Sequence, residues 1–161
     1  MHVNTDRYRL IGRAVTAVFM PVRPDVNAVI DEHGRAEKRV GPGQNSWIID
    51  TLQPGDVMVA DLFSRVNLIG DNLATSIYAK SGRGVVIDGG VRDLSGIRRI
   101  EGFSAYIRQA NPDVIRDVML MGINVPIRIG GVTVMPGDVV LGGPEGVLFI
   151  PPHLAERFAQ E

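Results

Sequence analysis

The sequence contains no cysteine, and lysine is almost as scarce. With zero Cys in 161 residues, disulfides, thiolate metal sites and thiol nucleophiles are all excluded. Only Lys38 and Lys80 accompany 15 arginines. A Schiff-base mechanism needs a lysine in a desolvated pocket, so it has few candidates here.

Long apolar runs and an excess of charge are also missing. No segment approaches the ~18 apolar residues that span a bilayer. The first residues lack the apolar stretch of a signal peptide. The formal net charge is -1, which gives no general attraction to nucleic acid or to membrane surfaces. We therefore expect a cytoplasmic protein without a membrane or nucleic-acid partner, folded as a single domain over residues 1–161.

Histidine occurs three times, at His2, His33 and His153. We expect all three to be solvated surface residues, which argues against a His-centred zinc site or a Ser-His-Asp mechanism. A phosphohistidine carrier would have to use His33, which we place in a polar turn. Its whole surrounding segment, 31–44, is predicted to be an exposed loop.

Short apolar runs separated by Gly, Pro, Asn or Asp dominate the rest of the chain. Strands are predicted at 13–19, 57–60, 84–88, 125–129, 139–141 and 147–150. Helices are predicted at 44–52, 72–81, 93–99 and 152–160. Pro-Gly-Asp occurs twice, at 54–56 and 136–138, either as one turn used twice or as a duplicated site. The sequence thus predicts a mixed, β-rich α/β domain.

Asp71 and the pair Arg92-Asp93 are separated by one predicted helix and one predicted strand. Asp71 is a suitable N-cap and Gly82 a suitable C-terminal stop for the helix. Ten helical residues advance about 15 Å, and five strand residues return about the same distance. If the two elements pack antiparallel, the chain brings Arg92 and Asp93 back to Asp71.

These three side chains have complementary chemistry. The Arg92 guanidinium presents a planar fork to a carboxylate. The Asp93 carboxylate suits Mg²⁺ or Mn²⁺, and Mg²⁺ usually keeps several waters beside one or two protein carboxylates. Asp71 would lie near the ion and hold one of its waters. The alternatives are an N-cap at Asp71 and a surface ion pair between Arg92 and Asp93.

The residues around Asp71 add backbone donors. Gly70 lets the backbone approach a ligand closely. The free N–H groups of Asn72 and Leu73, at the start of the helix, favour an anion. Together with Arg92 they suit the carboxylate of a small 2-keto acid whose keto oxygen would bind the metal.

Three segments, 70–74, 84–93 and 125–140, resemble the RraA-like family. That family includes the regulator of ribonuclease E activity and the 4-hydroxy-4-methyl-2-oxoglutarate aldolases, and the resemblance runs from about residue 47 to residue 155. The Asp-x20-Arg-Asp spacing of Asp71, Arg92 and Asp93 resembles the metal-dependent aldolase members, whereas the regulator members typically lack the first Asp. The resemblance implies metal positions at Asp71 and Asp93, a substrate arginine at Arg92, and amide donors at Asn72 and Leu73.

The resemblance also implies a β/β/α swivelling-type fold similar to phosphohistidine domains. It implies homotrimers, or hexamers of two trimers, with sites at subunit interfaces. Relative to family aldolases the chain lacks N-terminal helices and a C-terminal extension, a region from which a neighbouring subunit is thought to supply a further carboxylate. Glu156 and Glu161 are the substitutes that this sequence offers, and a solvated helix face is the alternative for both.

The expected function is a class II, divalent-metal-dependent lyase on 2-keto acids. It would cleave substrates of the 4-hydroxy-4-methyl-2-oxoglutarate type to pyruvate, or decarboxylate oxaloacetate. A water that the metal binds and Asp71 orders is the expected base. The alternatives are a Schiff-base aldolase using Lys80, which lies about 12 Å along the helix from Asp71, and a non-catalytic regulator that binds a ribonuclease or another protein.

Overall fold

The computed structural model describes residues 1–39, 41 and 43–158. The strands are β1 (His2–Val3), β2 (Leu10–Pro21), β3 (Asp56–Asp61), β4 (Asn67–Ile69), β5 (Val85–Val91), β6 (Ala105–Ala110), β7 (Val118–Ile123), β8 (Ile127–Ile129), β9 (Val132–Val134), β10 (Val139–Gly143) and β11 (Gly146–Ile150). The helices are α1 (Pro24–Ala36), α2 (Gln44–Thr51), α3 (Asp71–Ser81), α4 (Leu94–Ile97) and α5 (Pro152–Phe158). None of these described helices is long and apolar enough to cross a membrane.

One large sheet organises the described part of the chain. Its strands run in the order β1-β6-β5-β3-β2-β10-β11, with β4 added beside β5 and β7 added beside β2. The central strands β2, β3, β5 and β6 are parallel, whereas β10, β11 and β7 join antiparallel. Parallel neighbours need crossover connections, and here α1 and α2 lie between β2 and β3, α3 lies between β3 and β5, and α4 lies between β5 and β6. The resulting fold is a mixed α/β domain, as the sequence predicted.

Apolar side chains cover both faces of the sheet. One face packs against α2, α3 and α4 through residues such as Ile48, Ile77 and Ile97, which are fully buried. The other face packs against the β8–β9 hairpin through Ile127 and Val134. The near-continuous apolar runs of β3 and β5 follow from this arrangement, because a strand covered on both faces needs no polar alternation.

The two Pro-Gly-Asp segments form the same turn twice. In each, the aspartate carboxylate accepts a hydrogen bond from the backbone N–H three residues earlier: Asp56 from Gln53 at 2.8 Å, and Asp138 from Met135 at 2.9 Å. The glycines Gly55 and Gly137 have φ values of +89° and +88°. Each turn leads into a strand, so the repeat reflects shared turn chemistry and not a duplicated site.

Several predicted boundaries were wrong. The segment 31–44 is not a continuous loop, because α1 extends through Ala36. That helix mixes apolar and polar residues, and it meets the rest of the fold where Gly34 lies against Trp47 and where Gln44 bonds Asn27 and Asp31. The strand predicted to end at Asp88 continues to Val91 because β4 and β6 pair with it on both sides. Residues 159 and 160 of the last predicted helix lie outside the described residues, as do Glu161 and the side chain of Glu156.

Candidate functional site

The carboxyl end of β5 meets the amino end of α3, as the lengths of the predicted helix and strand required. β4 ends at Ile69, immediately before Gly70. The Ile69 carbonyl accepts a hydrogen bond from the Arg92 N–H at 2.9 Å. This bond fixes the segment after β5 beside the segment that opens α3. The predicted site residues Gly70, Asp71, Arg92 and Asp93 are therefore brought to one junction.

Asp71 is not the N-cap that the sequence predicted. Gly70 occupies that position with extended backbone, and Asp71 is the first residue of α3. No side chain of the described residues caps this helix. The Asp71 carboxylate instead faces Gly96 of α4. The first-turn amides of Asn72 and Leu73 are thus left without a side-chain acceptor, and the helix dipole makes that end attractive to an anion.

Asp93 has an unusual backbone that turns the chain from β5 into α4. Its φ and ψ are 59° and 40°, in the left-handed region, which Asp and Asn tolerate better than other residues with a side chain. Its carbonyl accepts hydrogen bonds from the N–H groups of Gly96 at 2.9 Å and Ile97 at 3.1 Å. Left-handed residues of this kind are frequent at functional sites, where the surrounding structure holds them in place.

Arg92 and Asp93 form a loose, partly exposed ion pair. The Arg92 Nη1 to Asp93 Oδ2 distance is 3.5 Å, and the two side chains are 42% and 40% exposed. Pairs of this kind contribute little to stability. Both groups therefore remain available to bind a ligand at small cost to the fold.

Glycines create the space that these side chains occupy. A Cβ atom on Gly70 would collide with the Asp93 carboxylate and would lie 3.2 Å from Arg92 Nε. A Cβ atom on Gly96 would collide with the Asp71 carboxylate. The open side of Gly70, which the sequence assigned to a ligand, is thus filled by Arg92 and Asp93. The sequence offered no signal for Gly96.

A small cavity of about 50 Å³ adjoins Arg92. Its lining residues are Asn45, Asn67, Leu68, Ile69, Gly70, Leu73, Arg92, Val114 and Ile115. Polar and apolar residues line the cavity in about equal measure, and among the apolar ones Leu73 and Ile115 pack against the core.

Asn67 positions one wall of the cavity and was missed by the sequence reasoning. The residue is 2% exposed, and its Nδ2 donates to the carbonyl oxygens of Asn111 and Asp113 at 3.0 and 2.9 Å. These bonds tie the segment leading to Val114 and Ile115 to β4. Its Oδ1 faces Gly90 and is the buried side-chain oxygen without a hydrogen-bond partner among the described residues. A single asparagine in a three-residue strand carries no recognisable motif.

The donor set suits a hard divalent cation that keeps waters. Asp71 and Asp93 supply carboxylate oxygens at one junction, and Mg²⁺ is typically bound through one or two carboxylates. No group of three or more His, Cys, Asp or Glu residues with metal-binding spacing exists in the described part of the chain. A closed four-ligand site is therefore not formed by those residues, whereas an open, hydrated site fits them.

The two alternative catalytic side chains lie elsewhere. Lys80 Nζ is 3.7 Å from Asp50 Oδ1 near the other end of α3, on a partly exposed surface. His33 lies in helix α1, a helix that the sequence did not predict, and not in the predicted turn. Its Nε2 is 3.0 Å from Glu37 Oε1, and its side chain is 72% exposed. Neither residue has the surroundings of a nucleophile.

A second charged cluster surrounds Asp88 in the middle of β5. Its side chain is 4% exposed and accepts hydrogen bonds from Arg108 Nε at 2.6 Å, Ser64 Oγ at 2.7 Å and the Gly130 N–H at 3.2 Å. Burial, the largest single influence, raises the pKa of Asp88, but these bonds and the Arg108 charge together outweigh it. The net pKa is lowered. Asp88 therefore ties β5, β6 and the β8–β9 hairpin together as a carboxylate.

The lowered pKa of Asp88 predicts an acid-sensitive contribution to stability. Because the pKa is lower in the folded than in the unfolded chain, the contribution is complete above the unfolded value of about 3.9 and is lost as the pH falls through the folded value. Asp88→Asn should lower the urea midpoint of unfolding at pH 7. The gap between the midpoints of this variant and of the unsubstituted protein should shrink by pH 3. The exposed Asp6→Asn serves as control, and a gap of equal size at both pH values would contradict the prediction.

Comparison with known proteins finds a matching family profile and several relatives of this chain. The sequence profile of the RraA-like family, described as Aldolase/RraA, matches residues 1–149. A Thermus thermophilus protein named 4-hydroxy-4-methyl-2-oxoglutarate aldolase is 32% identical over 145 residues, which cover 90% of this chain and 77% of that protein. A Halalkalibacterium halodurans protein, provisionally named for the same activity, is 29% identical over 128 residues. That match covers 76% of this chain and 60% of the relative's length.

A solved structure extends the similarity to the regulators. Streptomyces coelicolor RraAS2, described as an unusual member of the RNase ES inhibitor RraA protein family, superposes with a TM-score of 0.76 at 26% identity. The superposition covers 94% of this chain and 71% of that one. The chain is thus similar in sequence to proteins named as aldolases and similar in fold to a member of a ribonuclease-inhibitor family.

Proposed function

We propose, since this chain belongs to the RraA-like family, that it is a lyase acting on 2-keto acids with a bound divalent cation. The observation that supports this most directly is the convergence of Asp71, Arg92 and Asp93 at one glycine-lined junction. The full substrate range, the cation and the assembly of the protein are parts of the same proposal.

The substrate carboxylate would bind between Arg92 and the start of α3. Arg92 offers the fork geometry that pairs two N–H donors with two carboxylate oxygens. The uncapped amides of Asn72 and Leu73 add neutral donors from the side of the helix. These groups fix the orientation of the keto acid relative to Asp93.

Asp93 and Asp71 would hold Mg²⁺ or Mn²⁺ beside that carboxylate. Such a cation, when bound, acts as a Lewis acid that polarises the keto group and stabilises negative charge on an adjacent enolate. Asp93 is suited to the role because its left-handed backbone keeps the carboxylate at the junction. Asp71 is suited because it approaches the same junction from α3.

The reaction would be a retro-aldol cleavage. A base takes the proton of the substrate's 4-hydroxyl, and that oxygen forms the carbonyl of the leaving product as the C3–C4 bond breaks. The electron pair of that bond passes to the enolate of pyruvate, which then takes up a proton. With oxaloacetate, carbon dioxide would leave and the same enolate would form. We assign Asp71 the role of accepting a hydrogen bond from the water that removes the first proton.

We further propose a cytoplasmic homotrimer, or a hexamer of two trimers, with the sites at subunit interfaces. Arg92 and Asp93 are partly exposed in the single chain, so a neighbouring subunit would have access to them. This arrangement would also let a neighbour complete the open coordination positions. Sedimentation analysis measures the assembly directly.

A non-catalytic regulator is the second candidate. The superposition on an unusual member of a ribonuclease-inhibitor family favours it, whereas the presence of both Asp71 and Asp93 together with Arg92 favours the lyase. A pull-down with a ribonuclease, run beside the turnover assay, separates the two. Capture without turnover would support the regulator.

Turnover should depend on a divalent cation. The expected result is pyruvate release from oxaloacetate and from 4-hydroxy-4-methyl-2-oxoglutarate with Mg²⁺, loss of the activity with EDTA, and recovery when excess Mg²⁺ is returned. Coupling to lactate dehydrogenase measures the pyruvate, and added pyruvate checks that EDTA leaves the coupling enzyme active. Undiminished turnover in EDTA would remove the metal from the proposal.

A further inference from the structure

Gly96 lies in helix α4 without any conformational need for glycine. Its φ lies outside the left-handed region, unlike that of the glycines at the turns. Within a helix, alanine is intrinsically more favourable than glycine. Something other than the backbone therefore accounts for the missing side chain.

The space that a Cβ atom would need is filled by Asp71. An ideal Cβ on Gly96 would collide with the Asp71 carboxylate and would lie only 2.6 Å from Asp71 Cβ and 2.8 Å from Asp71 Cγ. All three of its nearest neighbours belong to that one side chain. Asp71 cannot move away as a whole, because its backbone lies in the first turn of α3, where the Ala74 N–H bonds the Gly70 carbonyl at 3.0 Å.

We propose that Gly96 is a positioning residue that holds the Asp71 carboxylate beside Asp93. Gly96 is linked to both, since it contacts the Asp71 side chain and donates its N–H to the Asp93 carbonyl. Gly70 plays the same part for Asp93, whose carboxylate lies where a Cβ atom on Gly70 would stand. The Asp71 carboxylate thus lies against Gly96, close after Asp93 in the chain, and the Asp93 carboxylate lies against Gly70, just before Asp71. The inference rests on the proposed cation site at Asp71 and Asp93.

A side chain at position 96 should therefore weaken cation binding without weakening the helix. Gly96→Ala would turn the Asp71 carboxylate out of its place and leave Asp93 as the remaining ligand. Loss of a positioning contact around a metal site typically lowers affinity by about 10- to 100-fold. Ser95→Ala, at an exposed neighbouring position in the same helix, is the matched control.

The experiment is a Mn²⁺ titration of the full chain, followed by the electron paramagnetic resonance signal of free Mn²⁺. Gly96→Ala should bind Mn²⁺ at least ~10-fold more weakly than the unsubstituted protein, and Ser95→Ala should bind it equally well. In an Asp71→Gly background, where the collision is gone, adding Gly96→Ala should change the affinity no further. Thermal melts of the same set report folding, and the double variant should melt no lower than Asp71→Gly.

The outcomes separate the inference from the function on which it rests. If the unsubstituted protein binds no Mn²⁺, the cation site itself is overturned, and the inference falls with it. If the unsubstituted protein and Gly96→Ala bind Mn²⁺ equally, only the role of Gly96 is overturned. If Gly96→Ala fails to fold, recovery of folding by Asp71→Gly supports the contact, and continued failure in that background overturns it.

Discussion

Replacing Arg92 with alanine is expected to reduce kcat/KM for 2-keto acids at least ~100-fold, because the substrate carboxylate loses its charged hydrogen-bonding partner. The effect should be large since the remaining donors, the amides of Asn72 and Leu73, are neutral. Stability should change little, because the Arg92 guanidinium is partly exposed and its ion pair with Asp93 is loose. Steady-state kinetics and a thermal melt on the same sample measure both quantities.

Three matched variants make the Arg92 result specific. Arg92→Lys keeps the charge but loses the two-pronged geometry, so its kcat/KM should lie between the alanine variant and the unsubstituted protein. Arg99→Ala removes an exposed arginine away from the junction and should leave kinetics unchanged. Lys80→Ala should also be neutral, whereas a Schiff-base enzyme would lose its activity. Near-normal kinetics in Arg92→Ala would show that the site is misplaced.

Local chemistry made much of the fold predictable. The Pro-Gly-Asp turns, the left-handed Gly82 that ends α3 and the apolar runs of β3 and β5 each follow from residues close together in sequence. The meeting of the start of α3 with the end of β5 was also predictable, because the helix and the strand predicted between Asp71 and Arg92 have nearly equal lengths. In each case the interactions that decide the structure span at most a few tens of residues.

The features that the sequence did not predict depend on distant contacts. Asp71 was expected to cap its own helix, but its carboxylate faces Gly96, a residue of another helix. Asn67 looks like an ordinary polar residue until β4 places it against the segment after β6. Helix α1 packs on α2, where Gly34 lies against Trp47 and where Asn27 and Asp31 accept hydrogen bonds from Gln44. No periodicity or capping rule encodes these pairings.

Asp93→Asn is expected to have the largest effect on turnover of any single conservative change in the site. The substitution keeps the size and the hydrogen-bonding capacity of the side chain but removes the charge that would hold a cation. A Lewis acid contributes several kcal/mol of transition-state stabilisation, and each ~1.4 kcal/mol is tenfold in rate, so turnover should fall at least ~1000-fold. Mn²⁺ affinity, measured without substrate, should fall as well.

The left-handed backbone of Asp93 allows the chemical and structural effects to be separated. Asparagine tolerates a φ of 59°, so Asp93→Asn should melt within a few degrees of the unsubstituted protein. Alanine does not tolerate that backbone well, and Asp93→Ala should lose stability by roughly 1 kcal/mol in addition to activity. Asp113→Asn, which removes an exposed carboxylate 3.9 Å from Arg116, controls for the loss of a surface charge.

The comparison of these variants tests why an aspartate stands at a position that strains the backbone. If the strain is maintained for cation binding, Asp93→Asn and Asp93→Gly should both lose turnover. Asp93→Gly should be at least as stable as Asp93→Asn, because glycine adopts this backbone freely. If Asp93 serves only to begin α4, all three substitutions should spare turnover. Full Mg²⁺-dependent turnover by Asp93→Asn would therefore refute the assignment of this carboxylate to the cation.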